Sequence, residues 1–218
     1  MTITPSFTYA HYEETLNRYI SAGYFIGGFS EFLAEKPTGK YMILRHDIDS
    51  SLECAHRIAE IDHKCGIKSS FFIRVHAVGY NPFSLINYRY LKNIIEMGHE
   101  IGLHLEPSLP YLLNEDAFEF CDRQKVVLES IIGKGIKGMS THEPVRMDEP
   151  ELVEKLKERW GLDYHAYEPR FFKRIKYISD SGSRWREGCF SQWVDKVEQI
   201  QVLVHPYWWF SEVSQENY

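Results

Sequence analysis

Four segments of this chain gather acids and histidines at spacings that suit hydrolytic or metal chemistry. Arg45-His46-Asp47-Ile48-Asp49 ends an apolar run, and because strand side chains alternate, Asp47 and Asp49 project to the same side. Two such carboxylates repel each other unless a cation relieves them, which suits a hard-metal or acid/base site; the plain alternative is that the second Asp caps a following helix. The run from Gly98 to Glu106 puts His104 and Glu106 on one face, and Ser140-Thr141-His142-Glu143-Pro144 and Val202-Leu203-Val204-His205-Pro206 each carry an imidazole. The chain has 10 histidines. Five of them, His46, His104, His142, His165 and His205, sit in or just after predicted strands. Three at strand ends, together with the paired aspartates, can converge nitrogen and oxygen ligands on one ion such as zinc. His46 alternates away from Asp47 and reads as a packing or supporting residue. His11, His56 and His63 read as exposed helix positions.

The elements that must position these groups alternate from Tyr41 onward. Short apolar runs rich in β-branched or aromatic residues predict strands at Tyr41 to Ile48, Ile67 to Val75, His99 to Leu105, Ile136 to Thr141, Asp163 to Glu168, Lys176 to Ser181 and Gln199 to Pro206. Between them lie helix-period segments. Ser50 and Glu53 have capping-box spacing, and Leu52, Ala55, Ile58, Ala59 and Asp62 mark a helix that ends before Gly66. Ser84 opens a second helix that stops at Gly98, Asn114 a third that stops at Gly133, and Asp148, Pro150 and Glu151 a fourth that ends at Trp160 and Gly161. The first forty residues read as a helix and loop packed outside the first strand, and residues 1–218 read as a single domain. The alternation fits an open doubly wound sheet or a closed or partly closed (β/α) barrel; either places functional groups at the carboxyl ends of the strands.

Composition narrows the function classes. A chain of 218 residues with 44% hydrophobic residues can bury one sizeable core. With 25 Lys+Arg against 31 Asp+Glu, a formal charge of −6, a basic face for phosphate backbones is not expected, so nucleic acid is not the expected partner. The first twenty residues lack a basic and an apolar region in series, and no uncharged apolar run approaches the ~20 residues of a membrane span. The expectation is a soluble, cytoplasmic protein. The four cysteines form no CxxC pair; Cys54 and Cys65, eleven residues apart on one helix, would lie roughly 16 Å apart, and reduced, buried thiols are expected.

The ordered set RHDID, GHEIGLHLE, STHEP, YISDSGSRW and LVHPYWW resembles the polysaccharide deacetylase superfamily, the NodB-homology domain, from about Tyr41 to Trp209. The resemblance implies an α/β fold, a distorted (β/α) barrel of about seven parallel strands, with one divalent metal ion held by an Asp and two His. It implies Asp47 as catalytic base, Asp49 as the metal-binding aspartate, His104 as the first metal histidine and His205 as general acid. Asp180 and Trp185 fall in the segment that supports the base. The family's usual second histidine, four residues after the first, is Ser108 here. His142 from the next strand or Glu106 from the same one can supply the third ligand, and His142 is preferred. The usual arginine-proline motif is replaced around Thr141 to Pro144.

The activity so implied is metal-dependent hydrolysis of an N-acetyl group on a sugar, with Zn2+ as the expected ion and Trp208 as a candidate sugar-binding ring or a seal of the barrel mouth. A cytoplasmic enzyme would meet a small-molecule or lipid-linked carbohydrate, which points to surface-polysaccharide precursors. The alternatives are another metal-assisted C–N hydrolase, an amidase or deformylase, on the same fold; a catalytically silent carbohydrate-binding domain; and a metal-free scaffold in which Asp47, Asp49 and His205 satisfy one another.

Overall fold

The computed structural model describes residues 7–142 and 150–217. Eight parallel strands are found among them: β1 (Phe25–Gly27), β2 (Tyr41–Ile48), β3 (Ser70–Ile73), β4 (Glu100–Leu105), β5 (Gly138–Thr141), β6 (Tyr164–His165), β7 (Lys176–Ser179) and β8 (Gln199–Val204). Seven of them run in the order β6-β5-β4-β3-β2-β8-β7, and β1 pairs with β2 off this path. The sheet curls into a distorted (β/α) barrel; no ladder joins β6 to β7 among the described residues, so the barrel has an open seam there. The helices are α1 (Tyr9–Ser21), α2 (Phe29–Glu35), α3 (Leu52–Lys64), α4 (Leu85–Glu96), α5 (Leu109–Leu113), α6 (Ala117–Ile132), α7 (Pro150–Trp160) and α8 (Pro169–Phe172).

The alternation along β2 divides two cores. Met42, Leu44 and Ile48 pack outward against the helices, with Leu52, Ala55 and Ile58 of α3 in the same cluster. Tyr41 and Ile43 face inward, among Phe29, Phe72, Tyr164 and Phe171. Every residue of β2 is buried, as expected of a strand covered on both faces. Two inward glycines make room for aromatic side chains: a Cβ on Gly102 would lie 2.7 Å from the Phe72 ring, and one on Gly138 2.0 Å from the Tyr164 ring. Phe72 and Tyr164 therefore fill the barrel beneath its polar end.

Several local expectations need correction. The helix after β2 is capped by Ser51, not Ser50; its hydroxyl accepts the Cys54 N–H at 3.2 Å. Asn114 does not open a helix but ends α5 in the left-handed conformation, and Asp116 caps α6 by accepting from Glu119 N at 2.9 Å. The strand expected over Asp163 to Glu168 shortens to Tyr164–His165, because the Glu168 carboxylate folds back to accept the His165 N–H at 2.8 Å and Pro169 then starts α8. The first forty residues hold, besides α1, the strand β1 and helix α2. β1 pairs with Tyr41–Ile43 on the edge of β2 that β3 uses from Arg45 onward. Glu143, Pro144 and Asp148 lie outside the described residues. All four cysteines are free; Cys54, Cys121 and Cys189 are buried and Cys65 is half-buried.

Candidate metal and catalytic centre

Because all strands are parallel, their carboxyl ends open on one side, and there the chemistry-bearing residues meet in a cleft of about 620 Å³. Asp47 and Asp49 come from the end of β2, His104 from β4, His142 from just beyond β5, and His205 from just beyond β8. The His142 N–H donates to Leu105 O at 2.8 Å, extending the β4–β5 ladder by one residue and fixing where the imidazole starts.

Asp49, His104 and His142 form a compact donor set, with one ligand atom from each within 4.8 Å of the others. Asp49 Oδ1 lies 3.2 Å from His104 Nε2 and 4.0 Å from His142 Nε2. That oxygen is buried without an aligned hydrogen-bond partner. Ligands about 2 Å from a tetrahedral ion stand roughly 3.3 Å apart, so small side-chain adjustments bring these three atoms onto a common ion. Burial would raise the Asp49 carboxyl, but His104, His205 and His142 around it hold it well below the usual carboxylate range. Burial, then the neighbouring His104, pushes His142 down, the direction that favours the neutral imidazole a metal ligand needs. An ionised carboxylate with imidazole nitrogens suits a divalent ion such as zinc.

Glu106 stands behind this set. It is buried; its Oε1 accepts from Arg74 Nη2 at 2.5 Å and lies 3.6 Å from His142 Nδ1, the nitrogen facing away from Asp49. Ser108 is the residue before α5, exposed to solvent.

Asp47 is held from one side. Its Oδ2 accepts from Arg45 Nη2 at 3.0 Å and from Ser140 Oγ at 3.3 Å, while Oδ1 is buried and unpartnered. Arg45 is itself completely buried; it also donates to the Tyr167 hydroxyl (Oη) at 2.7 Å and Gln201 Oε1 at 3.3 Å, and its guanidinium lies 4.4 Å from the Tyr167 ring centre. This arginine was legible in YMILRHDI, two places before Asp47 and hence on the same face, although the family motifs give it no role. Nothing in the spacing pointed to Ser140 or Tyr167 as its companions.

His205 is held by Asp180. Asp180 Oδ1 accepts from His205 Nδ1 at 2.6 Å and from the His205 backbone N–H at 2.9 Å, and Oδ2 accepts from Trp209 Nε1 at 2.9 Å. Asp180 thus orients the histidine and not Asp47; the group against Asp47 is Arg45. Burial alone would depress His205, but Asp180, with Asp49 and Asp47 beyond it, raises it to about 9. Its Nε2 faces the cleft, 3.8 Å from Asp49 Oδ2.

The remaining candidates divide. Trp208 lines the cleft. Trp185 does not line it; it packs against Phe7, Phe190 and Trp209 in the outer core. His46 donates from Nε2 to Asp62 at 2.8 Å on the outer face of β2. His165 is buried, and burial followed by the Arg45 charge pushes it down to about 4.

No family model and no curated protein matches this sequence. Solved structures do. IcaB from Ammonifex degensii superimposes with a TM-score of 0.54 at 18% identity, covering 72% of this chain and 74% of that one. The peptidoglycan deacetylase PdaC from Bacillus subtilis gives 0.53 at 15% identity over 83% and 81%. A CE4 family pseudoenzyme from Bacillus anthracis gives 0.50 at 18% identity over 78% of this chain and 56% of that one. The chain therefore has the NodB-like fold of carbohydrate deacetylases.

Proposed function

We propose that this chain is a metal-dependent carbohydrate deacetylase of the polysaccharide deacetylase superfamily. The observation that carries the reading is the convergence of Asp49, His104 and His142 beside Asp47 and an Asp180-held His205, in the cleft of a fold that a peptidoglycan deacetylase shares. The cleft is within the size range of small-ligand sites.

When bound to Asp49, His104 and His142, a divalent ion, zinc by its donor set, supplies Lewis-acid polarisation of the acyl carbonyl and acidifies water. Asp47 takes the proton of the attacking water at Oδ1, the oxygen left unpartnered, while Arg45 and Ser140 occupy Oδ2 and keep the carboxylate in place. His205 donates from Nε2 to the departing nitrogen, and its rise to about 9 keeps it loaded with a proton at neutral pH. Asp180 fixes the tautomer by accepting from Nδ1. Glu106 and Arg74 hold His142 from behind, so in this reading Glu106 is a support and His142 the third ligand. As substrate we propose an N-acetylated sugar or lipid-linked saccharide, a surface-polysaccharide precursor met in the cytoplasm.

The test is acetate release from N-acetylated saccharides by the zinc-supplemented chain. Release should stop on chelation and fall about a hundred- to ten-thousand-fold in Asp47→Asn. Undiminished release from Asp47→Asn overturns the base assignment. No release with any divalent ion overturns the deacetylase reading in favour of a silent carbohydrate-binding domain.

A further inference from the structure

The open seam between β6 and β7 has a chemistry of its own. Tyr167 follows β6, Phe172 ends α8 and Tyr177 lies on β7, and all three line the cleft. Their rings form one wall: Phe172 and Tyr177 stand 4.9 Å apart by centroid, and Tyr167 and Phe172 5.6 Å. Phe171, next in sequence, is fully buried in the inner core, whereas Phe172 is 38% exposed. Folding thus leaves one large aromatic ring uncovered at the edge of the site, supported from behind by two others. Beside it Ser179 and Ser181, whose hydroxyls are hydrogen-bonded to each other at 2.6 Å, also line the cleft. An apolar ring face next to hydroxyl groups is the composition that fits a pyranose, whose axial C–H groups are apolar and whose rim is polar.

We propose that the seam wall, with Phe172 as its exposed face and Tyr177 as its support, is the site that seats the sugar ring of the substrate. The proposal rests on the carbohydrate reading of the cleft and names the surface that recognises it. The wall also touches the catalytic apparatus: the Tyr177 ring centre lies 6.3 Å from that of Tyr167, whose hydroxyl accepts from Arg45, the arginine that holds Asp47. A ring seated on Phe172 therefore lies against the same framework that aims the base. Trp208 ends a 3-10 turn after β8 that packs against β2 and α3, so it lines the cleft from another side than the seam wall.

The experiment separates binding from hydrolysis. Binding of N,N′-diacetylchitobiose is measured by calorimetry on the zinc-supplemented Asp47→Asn chain, alone and with Phe172→Leu, Phe172→Ala or Trp208→Leu added. Acetate release from 4-nitrophenyl acetate, which has no sugar ring, is measured on the corresponding chains with Asp47 intact. Loss of the aromatic face should weaken disaccharide binding about three- to tenfold in both Phe172 variants. Trp208→Leu should bind as its parent, ester turnover should fall less than disaccharide binding in Phe172→Leu, and its thermal midpoint should stay that of the parent. Disaccharide binding by Phe172→Leu equal to that of the parent, or no binding by the parent itself, overturns the proposal. So does an equal loss of ester turnover in Phe172→Leu, which would make the wall a brace for Arg45 alone. Failure of the deacetylase reading is read separately, as absent acetate from both substrates with the disaccharide still bound.

Discussion

Two histidine–aspartate pairs lie on either side of the same sheet, and their difference separates chemistry from architecture. In the cleft, His205 donates from Nδ1 to Asp180 at 2.6 Å and presents Nε2 to Asp49 across open space. On the outer face of β2, His46 donates from Nε2 to Asp62 at 2.8 Å, and its other nitrogen is buried without a partner. Asp62 also accepts from Tyr12 at 2.7 Å and Ser69 at 2.5 Å, so the outer pair ties α1, α3 and the start of β3 to β2. Both pairs are withdrawn from solvent. What differs is where the second imidazole nitrogen points: into a cleft with acids and histidines, or into packed side chains. The lesson is that one-residue alternation on β2, His46 outward and Asp47 inward, decides which group can meet a substrate.

Removing the outer acid should produce the largest effect on stability. Asp62→Ala leaves His46, Tyr12 and Ser69 without their common acceptor and should lower unfolding free energy by about 3–5 kcal/mol in denaturant titration. Activity per folded molecule should persist. If instead Asp62→Ala abolished turnover in protein that remains folded, the division between the two pairs would collapse.

The inner acid should behave in the opposite way. Asp180→Asn should lower kcat at least about tenfold while changing stability far less than Asp62→Ala. It should also move the alkaline limb of the kcat profile from about 9 down towards the ordinary histidine value near 6.5, because a general acid works only while protonated. The same pair gives a stability signature. His205 has a folded-state pKa raised to about 9, so its contribution is fully present below the unfolded value near 6.5 and is lost as pH rises through 9. Equilibrium unfolding of the chain across pH 6 to 10 should show that loss, and Asp180→Asn should remove it.

How much of this was legible in the sequence varies with the kind of information involved. β2 was readable to the residue, Tyr41–Ile48, because burial on both faces makes an uninterrupted apolar run closed by charged residues. β1 was not, since three residues ending in Gly27 and followed by Gly28 carry no period. Within one strand the alternation already aligned Arg45, Asp47 and Asp49. Relations between strands were out of reach: that β7 neighbours β8, and so delivers Asp180 to His205 instead of to Asp47, follows from sheet order, which spacing does not encode. The same holds for His142 and Glu106. Their relative depth depends on β5 pairing with β4 and on the one-residue extension at His142.

The smallest effect sharpens the comparison further. Ser69→Ala removes one of the three donors to Asp62 and leaves two, so it should cost about 1 kcal/mol, with no change in the pH profile of turnover. Tyr12 and Trp209 make this worth measuring. Their rings meet at 5.1 Å, and while Tyr12 donates to Asp62, Trp209 donates to Asp180. A shift of the profile in Ser69→Ala would mean that the two pairs communicate through those rings.

The most direct test of the central claim is the zinc content of the purified, untagged chain by elemental analysis, beside Asp49→Ala, His104→Ala and His142→Ala. One ion per chain, lost in each of the three variants, is the expected result. A chain that binds no zinc even when it is supplied, or that keeps its ion in Asp49→Ala, contradicts the proposed centre.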